Sequence, residues 1–255
     1  MRIIPIFALA FCVAALNTPA SAQWLNYPDP PRTPRTPDGK PNLSAPAPKL
    51  ADGTPDFSGI WRAPDGKYLG NLAADGIEIQ MQPWAEKLFK ERQANNSKDW
   101  PNGHCLPNSV TDSDAHISPR KIIQQPGVIV FLFEAYHYYR QIFTDKRPMP
   151  VDPEPSWFGY SVGKWEGATL VVDTVGLKEA TWLDVAGHPH SDALHVVERF
   201  RRPDFGHMEV EVTVGDPKAY KKPWTVRIGW ELLPDTDLLD WVCENEKDLV
   251  HLSGK

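Results

Sequence analysis

Apolar and polar side chains alternate in short runs along the second half of this chain, and a period of two marks strands with one buried face. The runs are "WFGYSVGKW" (157–165), "ATLVVDTVG" (168–176), "LHVVERFRR" (194–202), "HMEVEVTVGD" (207–216), "WTVRIGWELL" (224–233) and "LLDWVCEN" (238–245). Ahead of them, "GVIVFLFEAYHYYRQIFTD" (127–145) is long enough for one bent strand or a pair. "FSGIWRA" (57–63) reads as the first strand, and "ISPRKIIQQPG" supplies another. Turn formers such as "DKRPMPVDPEP", "EG", "RPDFG" and "DPKAYKKP" separate these segments. Helical spacing is convincing only in "MQPWAEKLFKERQANN" (81–96), where Pro83 suits a first turn and Trp84, Leu88 and Phe89 share a face. Short strands with short connections predict an all-β antiparallel meander with one short helix. A meander of about seven or eight strands hides its edges most easily by closing into a barrel.

The first part of the chain breaks this pattern. Arg2 precedes the apolar run "IIPIFALAFCVAAL" (3–16), and the small residues of "NTPASA" follow before Gln23. A positive start, an apolar run too short to span a bilayer and an A-x-A-like site predict a secretory leader over 1–22. Residues 23–55 form a proline-rich arm whose composition favours extended backbone. Within it "DGKPNLS" (38–44) recurs as "DGTPDFS" (52–58). Residues 56–255 are then expected to make a single barrel domain in the periplasm or outside the cell.

Charge and cysteine content narrow the partners. Twenty-seven Lys and Arg against thirty-three Asp and Glu leave a net charge of −6 with no basic stripe, which weighs against nucleic acid. No run beyond the leader is long and apolar enough to cross a membrane. Cys12 falls in the leader, so Cys105 and Cys243 remain as an even pair, and an oxidising compartment predicts a disulfide between them. No phosphate loop, nucleophile elbow, zinc-protease helix or haem-attachment motif is present, and no cofactor is implied.

Candidate chemistry concentrates in "FEAYHYYRQIFTD" (133–145). On one strand, Glu134, Tyr136, Tyr138 and Arg140 would share a face opposite Phe131, Phe133, Ala135, His137, Tyr139, Gln141 and Phe143. Two readings follow: the Glu/Tyr/Tyr/Arg row is the solvated outer face of a sheet, or it lines a cavity. As a lining, Glu134, which can be buried as a pair with Arg140, is the candidate general base, Tyr136 and Tyr138 donate to a ligand oxygen, and Arg140 holds an anionic group. A second cluster, "DVAGHPHSDALHVVERF" (184–200), gathers Asp184, His188, His190, Asp192 and His195. A third histidine stands where a carboxylate ligand is needed, so no metal is expected. His188 and His190 remain candidate proton-transfer partners at a cavity mouth. In "HVVERFRR", Arg199 and its neighbours must share faces with apolar residues, either as structural pairs or as ligand contacts.

Two resemblances bear on the fold. "SGIWRA" resembles the Gly-x-Trp of lipocalins and the wider calycin barrels, which implies that an Arg from a late strand, here within "ERFRR" (198–202), packs over Trp61. The segments "PDFSGIW", "YRQIFTDKRPMP", "VGKWEGATLVVDTVG", "ERFRRPD" and "DPKAYKKPW" are similar to an uncharacterised family of exported bacterial proteins, which implies export and one compact β domain. The expected function is binding of a small apolar or aromatic molecule inside the barrel, with Tyr136, Tyr138, Arg140 and Arg199 as contacts. The alternative is a cofactor-independent lyase, isomerase or hydrolase on a small aromatic compound, using Glu134.

Overall fold

The computed structural model describes residues 33–243; the expected leader, the first part of the arm and the end of the last predicted strand lie outside the described residues. Nine strands close a barrel in chain order: β1 (Gly59–Arg62), β2 (Arg120–Gln125), β3 (Val128–Phe133), β4 (Tyr139–Phe143), β5 (Tyr160–Glu166), β6 (Thr169–Val175), β7 (His195–Arg201), β8 (His207–Gly215) and β9 (Trp224–Leu232). β1 pairs with both β2 and β9, so no edge is left there. The all-β barrel is as expected, with one correction. β4 and β5 run parallel and pair only at Ile142↔Ser161 and Phe143↔Val162. Their connection carries Pro148, Pro150, Pro153 and Pro155, whose fixed backbone favours an extended crossing over a tight hairpin.

Residues 127–145 form a hairpin rather than one strand. In its turn, Tyr136 (φ 65°) and His137 (φ 55°) take the left-handed conformation. Alternation restarts after the turn, so Ile129 and Phe131 face inward from β3 while Arg140 and Ile142 face inward from β4. Neither predicted face survives intact. The segment expected as a strand over 238–245 is not one within 238–243, where its only ladder contact is a bridge between Ala135 and Trp241. The barrel has already closed through β1 and β9, and this last stretch runs over the outside as a strap.

The pairing registers define two ends. β2, β4, β5, β7 and β9 begin at one end, which is covered by α1 (Lys67–Gly70), α2 (Pro83–Ala94), α3 (Val110–Ala115) and the 176–194 loop. Pro83 sits in the first turn of α2 as expected, and Phe89 stacks on His188 with ring centroids 4.5 Å apart. The arm lies against the other end, where Phe205 and Gly206 donate their N–H groups to Ala45 and Leu43. The repeat in its sequence is a repeat in its structure. Asn42 N–H donates to Pro34 and Gly39 N–H to Thr36; fourteen residues on, Asp56 N–H donates to Pro48 and Gly53 N–H to Leu50. Gly39 (φ 83°) and Gly53 (φ 86°) supply the left-handed position that each turn needs.

The barrel axis, where a hollow was expected, is occupied by large side chains. Trp61, Phe131, Phe200 and Trp230 are buried, and Phe131 and Phe200 approach the Trp230 ring at 6.1 and 5.6 Å. Arg202 lies with its guanidinium 4.8 Å from the Trp61 ring, the Arg-over-Trp contact that the Gly-x-Trp resemblance implied.

Candidate functional site

Beside that apolar packing the barrel contains a charged layer. Arg140 from β4 pairs through both terminal nitrogens with Glu198 from β7, with Nη1 2.7 Å from Oε1. Its remaining donors go to Ser161 from β5 and to Thr174 from β6, at 3.0–3.3 Å. Burial alone would lower the arginine's pKa, but the charge and hydrogen bonds of Glu198 outweigh it and raise the pKa. Above this pair sits α3, a short helix whose six residues are all buried. Ser109 caps it by accepting from Asp112 N–H at 3.2 Å. The backbone carbonyl of Asp114 accepts from Arg120 Nη1 (3.1 Å) and Trp230 Nε1 (2.7 Å), which draws the helix into the barrel mouth.

Both acids of α3 have raised pKa values. Burial pushes Asp112 well above the carboxylate range; burial and then the negative charge of Glu198 do the same to Asp114. Asp114 Oδ2 has no N–H or O–H donor in reach, so a proton on this carboxyl, offered to Glu198, removes the unpaired acceptor. The sign of the pH effect follows. Native Asp114 keeps a proton that the unfolded chain releases above about pH 4, so this group makes stability fall by about 1.4 kcal/mol per pH unit until it ionises. Asn cannot ionise but still donates to Glu198. Urea unfolding of Asp114→Asn should therefore give a stability that declines less steeply than the parent's as pH rises from about 4 to the point where native Asp114 ionises. Parallel slopes in the two proteins would mean that Asp114 is already charged.

The barrel wall opens where β4 and β5 diverge. Because they pair only where β4 ends and β5 begins, a groove of about 440 Å³ lies between Tyr139–Gln141 on one side and residues 156–160 on the other. Its walls carry Tyr138, Tyr139, Phe143, Trp157, Phe158 and Tyr160, and Arg140 and Ser161 reach it from the interior. Phe143 packs on Tyr160 (5.2 Å), and Phe158 stacks on Phe133 (5.3 Å). Tyr139 is 63% exposed, with no ring partner among the described residues. Tyr138 and Phe158 also line a small cavity of about 10 Å³, room for one water, whose other walls include Ser113 and His116. Burial, with Arg120 nearby, lowers the His116 pKa to about 4 and keeps that imidazole neutral.

The structure separates the residues singled out in the sequence. Arg140 and Tyr138 reach the groove; Tyr136 and Glu134 belong to the turn beside it. The Tyr136 hydroxyl donates toward the Asn102 carbonyl oxygens at 2.8 and 3.0 Å, and burial above all raises its pKa to about 12. Tyr138 OH donates to Cys105 O at 3.4 Å. Glu134 accepts from Leu239 N–H at 2.8 Å, and its predicted partner Arg140 is bound to Glu198 instead. His188 and His190 are buried in the 176–194 loop, not at a mouth. Asp184 accepts from His188 Nδ1 (2.6 Å) and from the N–H groups of Leu72, Gly187 and His188. Burial lowers the His190 pKa; Nδ1 donates to Ser191 O (2.9 Å), and Nε2 lies 2.7 Å from the Thr181 hydroxyl, which also donates to Lys178 O. The rest of that cluster disperses, Asp192 to Lys218 and His195 to Asp173. Among the described residues no group of three or more His, Cys, Asp or Glu is placed to hold a metal. Arg199 lies on the outer face, 3.1 Å from Glu166.

Sequence reasoning missed α3 and Glu198. "NSVTDSDAH" is polar enough to read as a loop, and only its Ser-x-x-Asp start hints at a cap. No protein-family model, curated protein or solved structure matches this chain.

Proposed function

We propose that the protein is exported and binds a small aromatic molecule in the groove between β4 and β5. The leader pattern and the Cys105–Cys243 bond support export. The observation that carries the binding reading is the six aromatic side chains around a space of ligand size. Tyr139 and Trp157 offer ring faces for stacking, and the bound charge pair behind them makes the wall rigid. Binding is a better reading than turnover for this geometry: Glu134 does not line the groove, and the Arg140 charge is already met by Glu198.

Titration with p-cresol, followed by tryptophan fluorescence and calorimetry, tests this reading. Saturable binding is expected, weakened about three- to tenfold in Trp157→Ala through loss of ring stacking. An unaltered affinity in that variant, or no saturation by p-cresol, would remove the groove as the site.

A further inference from the structure

Resting on that reading, we infer that the groove recognises an aromatic ring joined to a peptide-like amide, and that the backbone of Tyr139 reads the amide as a neighbouring strand would. The register dictates which backbone groups face the groove. Phe133 N–H donates to Tyr138 O, and Leu132 is paired with Tyr139, so Arg140 is the residue that exchanges hydrogen bonds with Phe131. Tyr139 and Gln141 then direct their N–H and C=O groups away from β3, toward β5. The parallel ladder begins only at Ile142↔Ser161, which uses the Gln141 carbonyl but reaches no further toward α3. Tyr139 N–H, Tyr139 C=O and Gln141 N–H are therefore left facing the groove without a backbone or side-chain partner among the described residues.

Unpaired donors and acceptors on a strand edge are a template for another extended backbone. Here the exposed length is short, and the crossing segment 156–159 closes the far side, so the groove suits one residue's worth of backbone rather than a long strand. An acylated aromatic amino-acid amide meets both demands. Its acyl N–H and its own C=O form the reciprocal pair with Tyr139, while its ring lies among Trp157, Phe158 and Tyr160. A bare phenol satisfies only the ring.

The test compares three probes on the intact protein by calorimetry: N-acetyl-tyrosine methylamide, its depsipeptide analogue with an ester oxygen in place of the acetamide N–H, and p-cresol. The methylamide is expected to bind about tenfold or more tighter than the depsipeptide, which cannot donate to Tyr139 C=O. Equal affinity for the ester and amide probes overturns the inference. If all three bind alike, the aromatic groove stands and the strand-like recognition falls; if none binds, the groove itself is lost as a site.

Discussion

Replacing Arg140 with Met lowers the free energy of unfolding by about 3–5 kcal/mol, because Glu198 is left buried without its cation. Both side chains of the pair are inaccessible, at 1% and 0% exposure, so neither group recovers hydration by a small movement. Changing Glu198 as well, to Met, recovers part of that loss: no charge is left buried and Ser161 and Thr174 keep each other as partners, but Asp114 loses its acceptor. Glu198→Gln behaves differently. Asp114 lies beside Glu198 and can ionise in its place, so this variant loses less than Arg140→Met, and Asp114 then titrates with a lowered pKa. The double variant Asp114→Asn/Glu198→Gln removes both acids next to Arg140 and loses more than the sum of its singles. Urea unfolding at neutral pH measures all of these. Additivity in the last pair would show that the two acids do not share the cation.

The Cys105→Ser/Cys243→Ser variant is expected to lose about 2–5 kcal/mol. The bond joins residues 138 positions apart with Cα atoms 5.5 Å apart, so it restrains the unfolded chain strongly. In the native state it also ties down the strap. Beyond β9 the chain is held by Arg35 to Asp235 (2.7 Å), Lys121 to Asp237 (2.8 Å) and Leu239 N–H to Glu134, contacts that are partly exposed and individually weak. Leu239 and Val242 are themselves more than half exposed. Loss of the bond should first raise hydrogen exchange over 238–243 and in the 134–138 turn, where Trp241 packs on Tyr136 at 4.7 Å. Unchanged exchange there together with an unchanged unfolding midpoint would mean that the disulfide restrains neither state.

What the linear order of residues sufficed to decide is local. A period of two between turn formers located the strands, because facing a core or facing water is settled residue by residue along a pleated backbone. Proline at the start of 81–96 placed α2, and Cys105 and Cys243, an even pair once Cys12 is set aside, anticipated their bond. Partnership was not legible in the same way. A side chain's period says that it points inward but not what it meets there. Arg140 was matched in sequence with Glu134, six positions away, yet the barrel joins it to Glu198 across β5 and β6. A turn of left-handed residues at Tyr136 and His137 switched which parity of β4 faces inward. α3 was invisible because what buries its polar side chains is distant in the chain: Thr111 donates to Leu183 O, Asp112 accepts from Trp100, and burial rather than composition raises the pKa values of its acids. The groove exists for the same kind of reason: β4 and β5 run parallel and meet only where β4 ends and β5 begins, a matter of how the barrel closes rather than of any motif.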